Sequence, residues 1–485
     1  MNFKVIRYYL SRLILLEAVL MILPVFIGLI YKESFQLISS FLITMICIVI
    51  FFFLIKVKNI DSQKLHTKEG MVIVASTWFL WAIFGGLPFV ISGQIPNFFD
   101  AVFEMSSGFT TTGASILTDV EALSHAHLFW RSFSHLIGGM GVLVFALAVT
   151  PKSSSETVHL MRAEVPGPSF DKLVSKIRQT AMILYAIYLV MTALTIILLL
   201  FGGMNLFDAS CHAFGIAGTG GFSTYNDSIG HFNSPYIEWV TAIIMLCFGM
   251  NFNLFYMIII GQVLNVLKND ELRLYLSVVG LSTAILFINN IYSSNYTISE
   301  NLRHSFFAIS SYITTSGFVT LDYSKWPLSS IMILAFVMFV GGMAGSTGGG
   351  FKVARFGVIR KAAKAEVESI KNPRRVSVIK FNGKAMTEKQ VKGVVEYLIL
   401  YVFTAGIIFF LVSFEPNIDL RTAFSAMMNT VNNIGAGFAT ESASASFANY
   451  SIFSKIVLTI SMITGRLEIY PVLILFSPST YLNRS

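Results

Sequence analysis

The sequence is poor in charge, in cysteine and in clustered histidine. Only 12% of its 485 residues are Asp, Glu, Lys or Arg, about half the share found in soluble domains. So few charges cannot cover the surface of a soluble protein of this length. The three cysteines and eight histidines form no disulfide framework, no HExxH motif and no other metal-ligand spacing. These shortages exclude a soluble multidomain enzyme, and we expect no catalytic residues and no organic cofactor.

What the chain has instead is long apolar runs. Runs near 20 residues are candidate membrane-spanning helices, because that length crosses the hydrocarbon core of a bilayer. The first run is too long for a signal-peptide core and lacks a small-residue cleavage site, so we expect it to stay as a membrane helix. The ten runs lie at 13–31, 36–55, 71–92, 128–149, 181–202, 236–264, 274–292, 329–350, 394–413 and 452–476. They predict an all-α polytopic membrane protein with both termini on one side.

The net charge of +8 follows this topology. Under the ten-span arrangement, 27 of the 34 Lys and Arg residues fall on one side, which the positive-inside rule makes cytoplasmic. The opposite segments carry thirteen acids and six cations, an imbalance that concentrates cations. Twelve of the inner cations lie in 352–392, where we expect contact with anionic membrane lipid. The charge therefore does not indicate a nucleic-acid partner.

Four segments in the outer connections fit neither a span nor an ordinary loop. Each runs about ten semi-apolar residues into a Thr/Ser/Gly cluster, a pattern that predicts a re-entrant half-helix buried in protein or lining a water-filled cavity. Asp100 and Asp208 lie 13 residues before the glycines of the first two clusters, Gly113 and Gly221, and are expected to cap their half-helices. The clusters align as Thr-Thr-Gly at 111–113, Thr-Gly-Gly at 219–221, Thr-Ser-Gly at 315–317 and Asn-Ile-Gly at 433–435.

Four such units around one axis would bring four short backbone segments together. Glycine permits the dihedral angles that aim successive carbonyl groups at an axis, and it leaves the bore free of side chains. Rings of carbonyl oxygens can replace the hydration shell of a monovalent cation. Because no acid lies within the four cores, the pattern favours a weakly bound alkali cation, K⁺, over a divalent ion.

The clusters at 111–115, 219–223, 315–318 and 432–435 resemble the four filter segments of the Trk/Ktr/HKT superfamily of potassium transporters, and the two extra N-terminal spans resemble its TrkH type. The resemblance implies a bacterial inner-membrane protein with cytoplasmic termini, a homodimer, and a nucleotide-binding regulatory partner of the TrkA type. It implies that K⁺ is the transported ion and that the filter consists of Thr111, Thr112, Gly113, Thr219, Gly220, Gly221, Thr315, Ser316, Gly317, Asn433, Ile434 and Gly435.

The same resemblance assigns a gate. Six of the ten residues in 341–350 are glycine, so this stretch cannot form a stable helix and must be sheltered by protein. In the family a glycine-rich intramembrane loop closes the pore from below, and an arginine of the last repeat faces the permeation path. The matching residues are Gly345, Gly348, Gly349, Gly350 and Arg466. Pairing of Arg466 with Glu468 for packing alone is the alternative.

The predicted organisation is an N-terminal two-helix domain at 1–66 and four pore repeats at 67–150, 151–268, 269–362 and 363–485. Ser316 and Ala436 depart from the family's more typical Thr and Pro, which leaves a K⁺/Na⁺ non-selective member as an alternative. An ion-coupled secondary transporter, which also uses broken helices, is the second alternative. A membrane enzyme would need a convergent set of catalytic groups, and none recurs in the spans.

Overall fold

The computed structural model describes residues 1–57, 66–141, 177–291, 296–372, 378–438 and 446–481. Most of these residues are helical, which confirms the predicted all-α polytopic class. The strands in these segments form one short antiparallel pair, β1 (Lys380–Phe381) with β2 (Lys384–Ala385). The helices are α1 (Phe3–Leu20), α2 (Ile22–Ile30), α3 (Phe35–Ile55), α4 (Thr67–Ser92), α5 (Phe98–Phe109), α6 (His125–Gly139), α7 (Ile177–Phe201), α8 (Leu206–Gly218), α9 (Pro235–Phe248), α10 (Phe252–Ile259), α11 (Val263–Leu267), α12 (Asp270–Ile291), α13 (Ile298–Ile313), α14 (Leu328–Val340), α15 (Val353–Lys371), α16 (Glu388–Val412), α17 (Leu420–Asn432), α18 (Ile452–Arg466) and α19 (Tyr470–Phe476).

Within these segments, six helical stretches are long and apolar enough to cross a membrane on their own. They are α1 continued by α2, then α3, α4, α7, α12 and α16. Helices α9 and α10 would make a seventh span, but they bend by 92° at the break between them. Large apolar side chains such as Phe53 (64% exposed) and Phe403 (66% exposed) point outward from these helices. That exposure suits contact with lipid and not with water.

The predicted continuous span 236–264 is wrong, because α9 ends at Phe248. Only glycine fits at Gly249, because an added Cβ would lie 2.6 Å from Thr314 and 2.7 Å from the hydroxyl oxygen of Tyr275. Asn251 then starts α10 by accepting the backbone N–H of Asn253 at 2.9 Å.

Two further predicted spans are shorter than expected. The span 329–350 ends at Val340, because Gly341 takes a left-handed φ of 71°. The span 452–476 breaks after Arg466, where Glu468 and Ile469 have φ of 55° and 69°. The predicted span 128–149 is helical from His125 to Gly139; its part from 142 onward lies outside the described residues, as does the predicted domain boundary between 150 and 151.

Four short helices, α5, α8, α13 and α17, stand between the longer ones, and each begins at a capping side chain. Thr297 starts α13 with a reciprocal capping box to Glu300. The other three caps accept backbone N–H groups of the first turn, and each lies 16 residues before the glycine of its cluster. They are Asn97, Asn205 and Asp419.

The prediction that Asp100 and Asp208 cap their helices was wrong. Both carboxylates lie one turn further in, because an asparagine three residues earlier already supplies the cap oxygen. Asp100 instead accepts a charged hydrogen bond of 2.7 Å from Lys455. The ion pair joins the first short helix to α18, more than three hundred residues later in the chain.

The two described ends of the chain meet on one side of the molecule. The rings of Phe3 and Tyr481 stack with centroids 6.5 Å apart. Helix α1 is tied to α4 by the indole N–H of Trp81, which donates to the carbonyl oxygen of Leu13 at 3.2 Å. The N-terminal helices are thereby fixed against the helix that precedes the first cluster.

Candidate functional site

The four clusters fold into the same backbone turn. Each short helix ends in a Schellman motif, in which two backbone N–H groups beyond the helix return to carbonyls of its last turn. The 6→1 bonds, at 2.8 to 2.9 Å, run from Thr112 to Ser107, Gly220 to Gly215, Ser316 to Ser311 and Ile434 to Asn429. The 5→2 bonds, at 3.1 to 3.4 Å, run from Thr111 to Gly108, Thr219 to Ile216, Thr315 to Tyr312 and Asn433 to Thr430. We call the resulting segments turn 1 (111–113), turn 2 (219–221), turn 3 (315–317) and turn 4 (433–435).

The first residue of every turn is left-handed. Glycine or asparagine is usual at this position of the motif. Here Thr111, Thr219 and Thr315 have φ of 53°, 56° and 60°, and Asn433 has 56°. A β-branched side chain is disfavoured in this conformation at a cost on the order of 1–3 kcal/mol. Three such outliers at equivalent points indicate that the threonine side chains serve a purpose other than ending a helix.

The glycines of the turns close them into a ring. Their φ angles are 84°, 78°, 73° and 74°, in the region that favours glycine. A Cβ added to any of them would overlap a carbonyl oxygen of the next turn around the ring. The overlaps are Gly113 with Gly220, Gly221 with Ser316, Gly317 with Ile434, and Gly435 with Thr112. Backbone therefore packs directly on backbone, and none of the four positions has room for a side chain.

All four glycines also line one cavity of about 290 Å³. The other eight predicted filter residues lie in the same turns, and the side chains of Thr112, Ser316 and Ile434 are fully buried behind it. The structure thus brings together all twelve residues that the sequence predicts for the filter. The cavity continues past the turns to Leu117, Val120, Asn226, Val319 and Phe447.

A buried ion pair that sequence reasoning missed supports turns 1 and 2. The Arg131 guanidinium donates to Glu104 at 2.6 Å and to the carbonyl oxygen of Ser223 at 3.0 Å. It also lies 3.4 Å from the ring centre of Phe222. Glu104 in turn accepts the backbone N–H of Ile116 at 2.9 Å, just beyond turn 1. The available signal was an arginine inside a predicted span, 128–149.

A second polar group lies at the outer side of turn 2. Asp208 accepts hydroxyl hydrogen bonds of 2.8 Å from Thr224 and from Tyr225. Burial, together with the hydrogen bond to Asp208, raises the pKa of Tyr225 to about 12. The phenol therefore stays a neutral donor at physiological pH, and it fixes the chain that leaves the turn.

The glycine-rich segment lies against turns 3 and 4. It is irregular from Gly341 to Gly350 and docks into the break between α9 and α10. There the N–H of Met343 donates to the carbonyl oxygen of Gly249 at 3.0 Å, and the N–H of Phe252 donates to Gly345 at 3.1 Å. We call residues 341–352 the glycine loop.

Two of the predicted gate glycines, Gly348 and Gly349, lie against turns 3 and 4. The N–H of Gly349 donates to the Thr315 hydroxyl oxygen at 2.6 Å. A Cβ on Gly349 would overlap the carbonyl oxygen of Asn432, and one on Gly348 would lie 2.8 Å from that of Thr314. Gly350 packs just as closely on Gly341 within the loop.

Two charged residues outside the glycine loop bind it in this place, and a third lies within it. Arg466 donates to the carbonyl oxygen of Thr347 at 2.7 Å; it also donates to Gly139 at 2.8 Å. The Lys352 ammonium donates to the carbonyl oxygen of Gly348. Glu271 accepts the N–H of Ala344 at 2.6 Å. Sequence patterns did not indicate the last two, because both bond to backbone atoms and the partner of Glu271 lies 73 residues away in the chain.

Glu468 has an ionic partner on α15. Arg355 donates to its carboxylate at 2.5 and 3.2 Å and lies 4.0 Å from the ring centre of Tyr397. The hydrogen bonds of Arg466 to backbone carbonyls, described above, connect it to the loop and to α6. The alternative that Arg466 serves only to pair with Glu468 is therefore not favoured.

The structure places four turns around one cavity, which their glycines line, and helices with outward-facing apolar side chains surround them. Among the residues it describes, no group of three or more His, Cys, Asp or Glu could hold a metal ion. The oxygens available to an ion here come from backbone and hydroxyl groups, which suit an alkali cation. These features define a multi-pass helical membrane protein built around four equivalent turns.

Comparison with known proteins gives the family. Residues 37–485 match the TrkH family model, described as a cation transport protein, and the chain belongs to this family. It is 35% identical to the Trk system potassium uptake protein TrkG of Escherichia coli K12, over 98% of both chains. It is also 35% identical to TrkH of Salmonella typhimurium, over 99% of both.

A solved structure agrees with these sequence matches. The crystal structure of the potassium transporter TrkH from Vibrio parahaemolyticus superposes with a TM-score of 0.88 at 30% identity, covering 99% of this chain and 100% of the other. The chain is therefore a multi-pass membrane protein of a transport family and not an enzyme.

Proposed function

We propose that this chain is the K⁺-translocating subunit of a Trk-type uptake system of the bacterial inner membrane, and that K⁺ passes through turns 1 to 4. Its relatives TrkG and TrkH are potassium uptake proteins, which supports K⁺ as the transported ion. The observation that carries the route is the closed ring of four glycines, each of which packs on a carbonyl of the next turn.

Within each turn, a left-handed first residue and a left-handed glycine flank a residue of negative φ. Such alternation turns successive carbonyl groups toward the same side, where they replace the water of a dehydrating K⁺ ion. The carboxyl ends of α5, α8, α13 and α17 lie at the turns and add the negative end of their dipoles. On the outer side, the excess of acids over cations attracts the ion, although Asp100, Glu104 and Glu238 are each paired with Lys or Arg.

The glycine loop is the gate in this proposal. Seated against turns 3 and 4, it blocks the path below them, and Arg466 and Glu271 keep it there. Because its contacts are mostly single hydrogen bonds to backbone, moderate forces transmitted through α15 can displace it.

Rubidium or potassium flux into proteoliposomes tests the route. Gly317→Ala forces a methyl group onto the carbonyl oxygen of Ile434 and is expected to abolish flux. Gly280→Ala is the matched control, because its added Cβ meets nothing within 4 Å. Equal flux in the two variants would contradict the assignment of turn 3 to the filter.

We also propose the assembly and topology that the family resemblance implies. Both termini are cytoplasmic, two copies form a dimer, and a TrkA-type nucleotide-binding ring docks on the basic segment 352–392. Part of this segment is α15, whose Val367 and Ile370 are 52% and 72% exposed. A pull-down in which a charge-neutralised 352–392 segment still captures the ring would contradict this docking site.

A further inference from the structure

The Thr315 hydroxyl is the point where the glycine loop touches a filter side chain. Its oxygen accepts the N–H of Gly349 at 2.6 Å. The equivalent side chains of two other turns are engaged elsewhere. The Thr219 hydroxyl donates to the carbonyl oxygen of Gly218 at 2.6 Å, and the Asn433 amide donates to Met462 and to Thr112.

Two basic side chains donate to carbonyl groups of the glycine loop next to this hydrogen bond. Lys352 donates to the carbonyl of Gly348, and Arg466 donates to that of Thr347, so both residues before Gly349 are bound to formal cations. A cation that coordinates the Thr315 oxygen would meet the positive end of the Gly349 N–H dipole, with these two charges close behind it. A seated loop therefore disfavours a cation at this oxygen.

We propose that the transported cation and the glycine loop compete for the hydroxyl oxygen of Thr315, so that the permeating ion acts as a ligand that opens its own gate. This inference rests on the proposed function. If the ion binds more tightly when the loop is displaced, occupancy of turn 3 must shift the loop toward its displaced position by the same factor. The strained left-handed φ of Thr315, 60°, is retained because it presents the hydroxyl to both partners.

The test is single-channel recording in bilayers at increasing K⁺ concentration, comparing the wild type with Thr315→Val and Thr315→Ser. We expect the open fraction of the wild type to rise with K⁺. Thr315→Val keeps the shape but loses the acceptor, so the ratio of open to closed states at low K⁺ should rise about fivefold and its dependence on K⁺ should vanish. Thr315→Ser keeps the hydroxyl and should restore wild-type gating.

Thr219→Val is the matched control. It removes the equivalent hydroxyl of turn 2, which bonds to Gly218 and not to the loop, so conductance is expected to change while the K⁺ dependence of opening stays. Gly349→Ala provides a second route if Thr315→Val does not fold. Its methyl group overlaps the carbonyl oxygen of Asn432, so the loop cannot seat and opening should no longer depend on K⁺.

Two results would overturn the inference alone: wild-type opening that is independent of K⁺, or wild-type K⁺ dependence in Thr315→Val or Gly349→Ala. A folded wild-type protein that passes no K⁺ at all would overturn the proposed function and this inference together. The two failures are thus distinguishable in one set of recordings.

Discussion

Replacing Arg131 with methionine tests whether turns 1 and 2 depend on the ion pair behind them. The Arg131 side chain is 3% exposed and that of Glu104 is 0% exposed, with 2.6 Å between Nε and Oε1. Arg131→Met leaves the buried Glu104 carboxylate without its countercharge, which costs about 3–5 kcal/mol. Methionine retains much of the apolar volume over Phe222, so the loss comes mainly from the charge.

Thermal unfolding of the purified protein in detergent measures this loss. Lys325→Met is the control, because Lys325 is 80% exposed and its pair with Asp322 at 3.4 Å is worth at most about 1 kcal/mol. The double variant Arg131→Met with Glu104→Gln removes the stranded charge, so it should recover part of the lost stability. Two results would refute a stabilising role for this ion pair. In one, Arg131→Met and Lys325→Met unfold at the same temperature; in the other, the double variant is no more stable than Arg131→Met.

Substitutions at three further residues follow from contacts of the gate and the caps. Arg466→Gln removes the charged donor to the Thr347 carbonyl and is expected to raise basal K⁺ flux several-fold; unchanged flux would count against its role in holding the loop. Glu271→Leu should also raise basal flux, whereas Glu271→Gln keeps an acceptor for the Ala344 N–H and should not, so equal flux in both would contradict this contact. Asp419→Ala should lower stability by about 1 kcal/mol in thermal unfolding while Asp419→Asn leaves it nearly unchanged, and equal loss in both would exclude the cap.

The membrane class and the places of the four turns could be predicted from the sequence, because both depend on local patterns. A run of 20 apolar residues is visible without a fold, and so is Thr-x-Gly or Asn-x-Gly repeated at spacings of 108, 96 and 118 residues. The positions of the helix breaks were harder to predict from the sequence. At Gly249, where α9 has ended, Thr314 and Tyr275 leave no room for a Cβ, and those neighbours are known only once the chain is folded.

The same distinction applies inside the site. The acidic side chains of Asp100 and Asp208 suggested caps, but the caps are the asparagines three residues earlier. The pattern that identifies these asparagines is their common offset of 16 residues from the glycine of the cluster. The contact of Gly349 with Thr315 joins residues 34 apart, and that of Glu104 with Arg131 joins residues 27 apart. Long-range pairs like these depend on how the helices pack, which no local pattern encodes.

The most direct test of the account is to locate bound ions. The protein should be crystallised in rubidium or thallium salts, and the anomalous density should be measured along the axis of the four glycines, Gly113, Gly221, Gly317 and Gly435. We expect peaks on this axis, within coordination distance of the carbonyl oxygens of the turns and weaker at Thr315 when the glycine loop is seated. Ordered ions bound elsewhere in the membrane region, with none between the four turns, would contradict it.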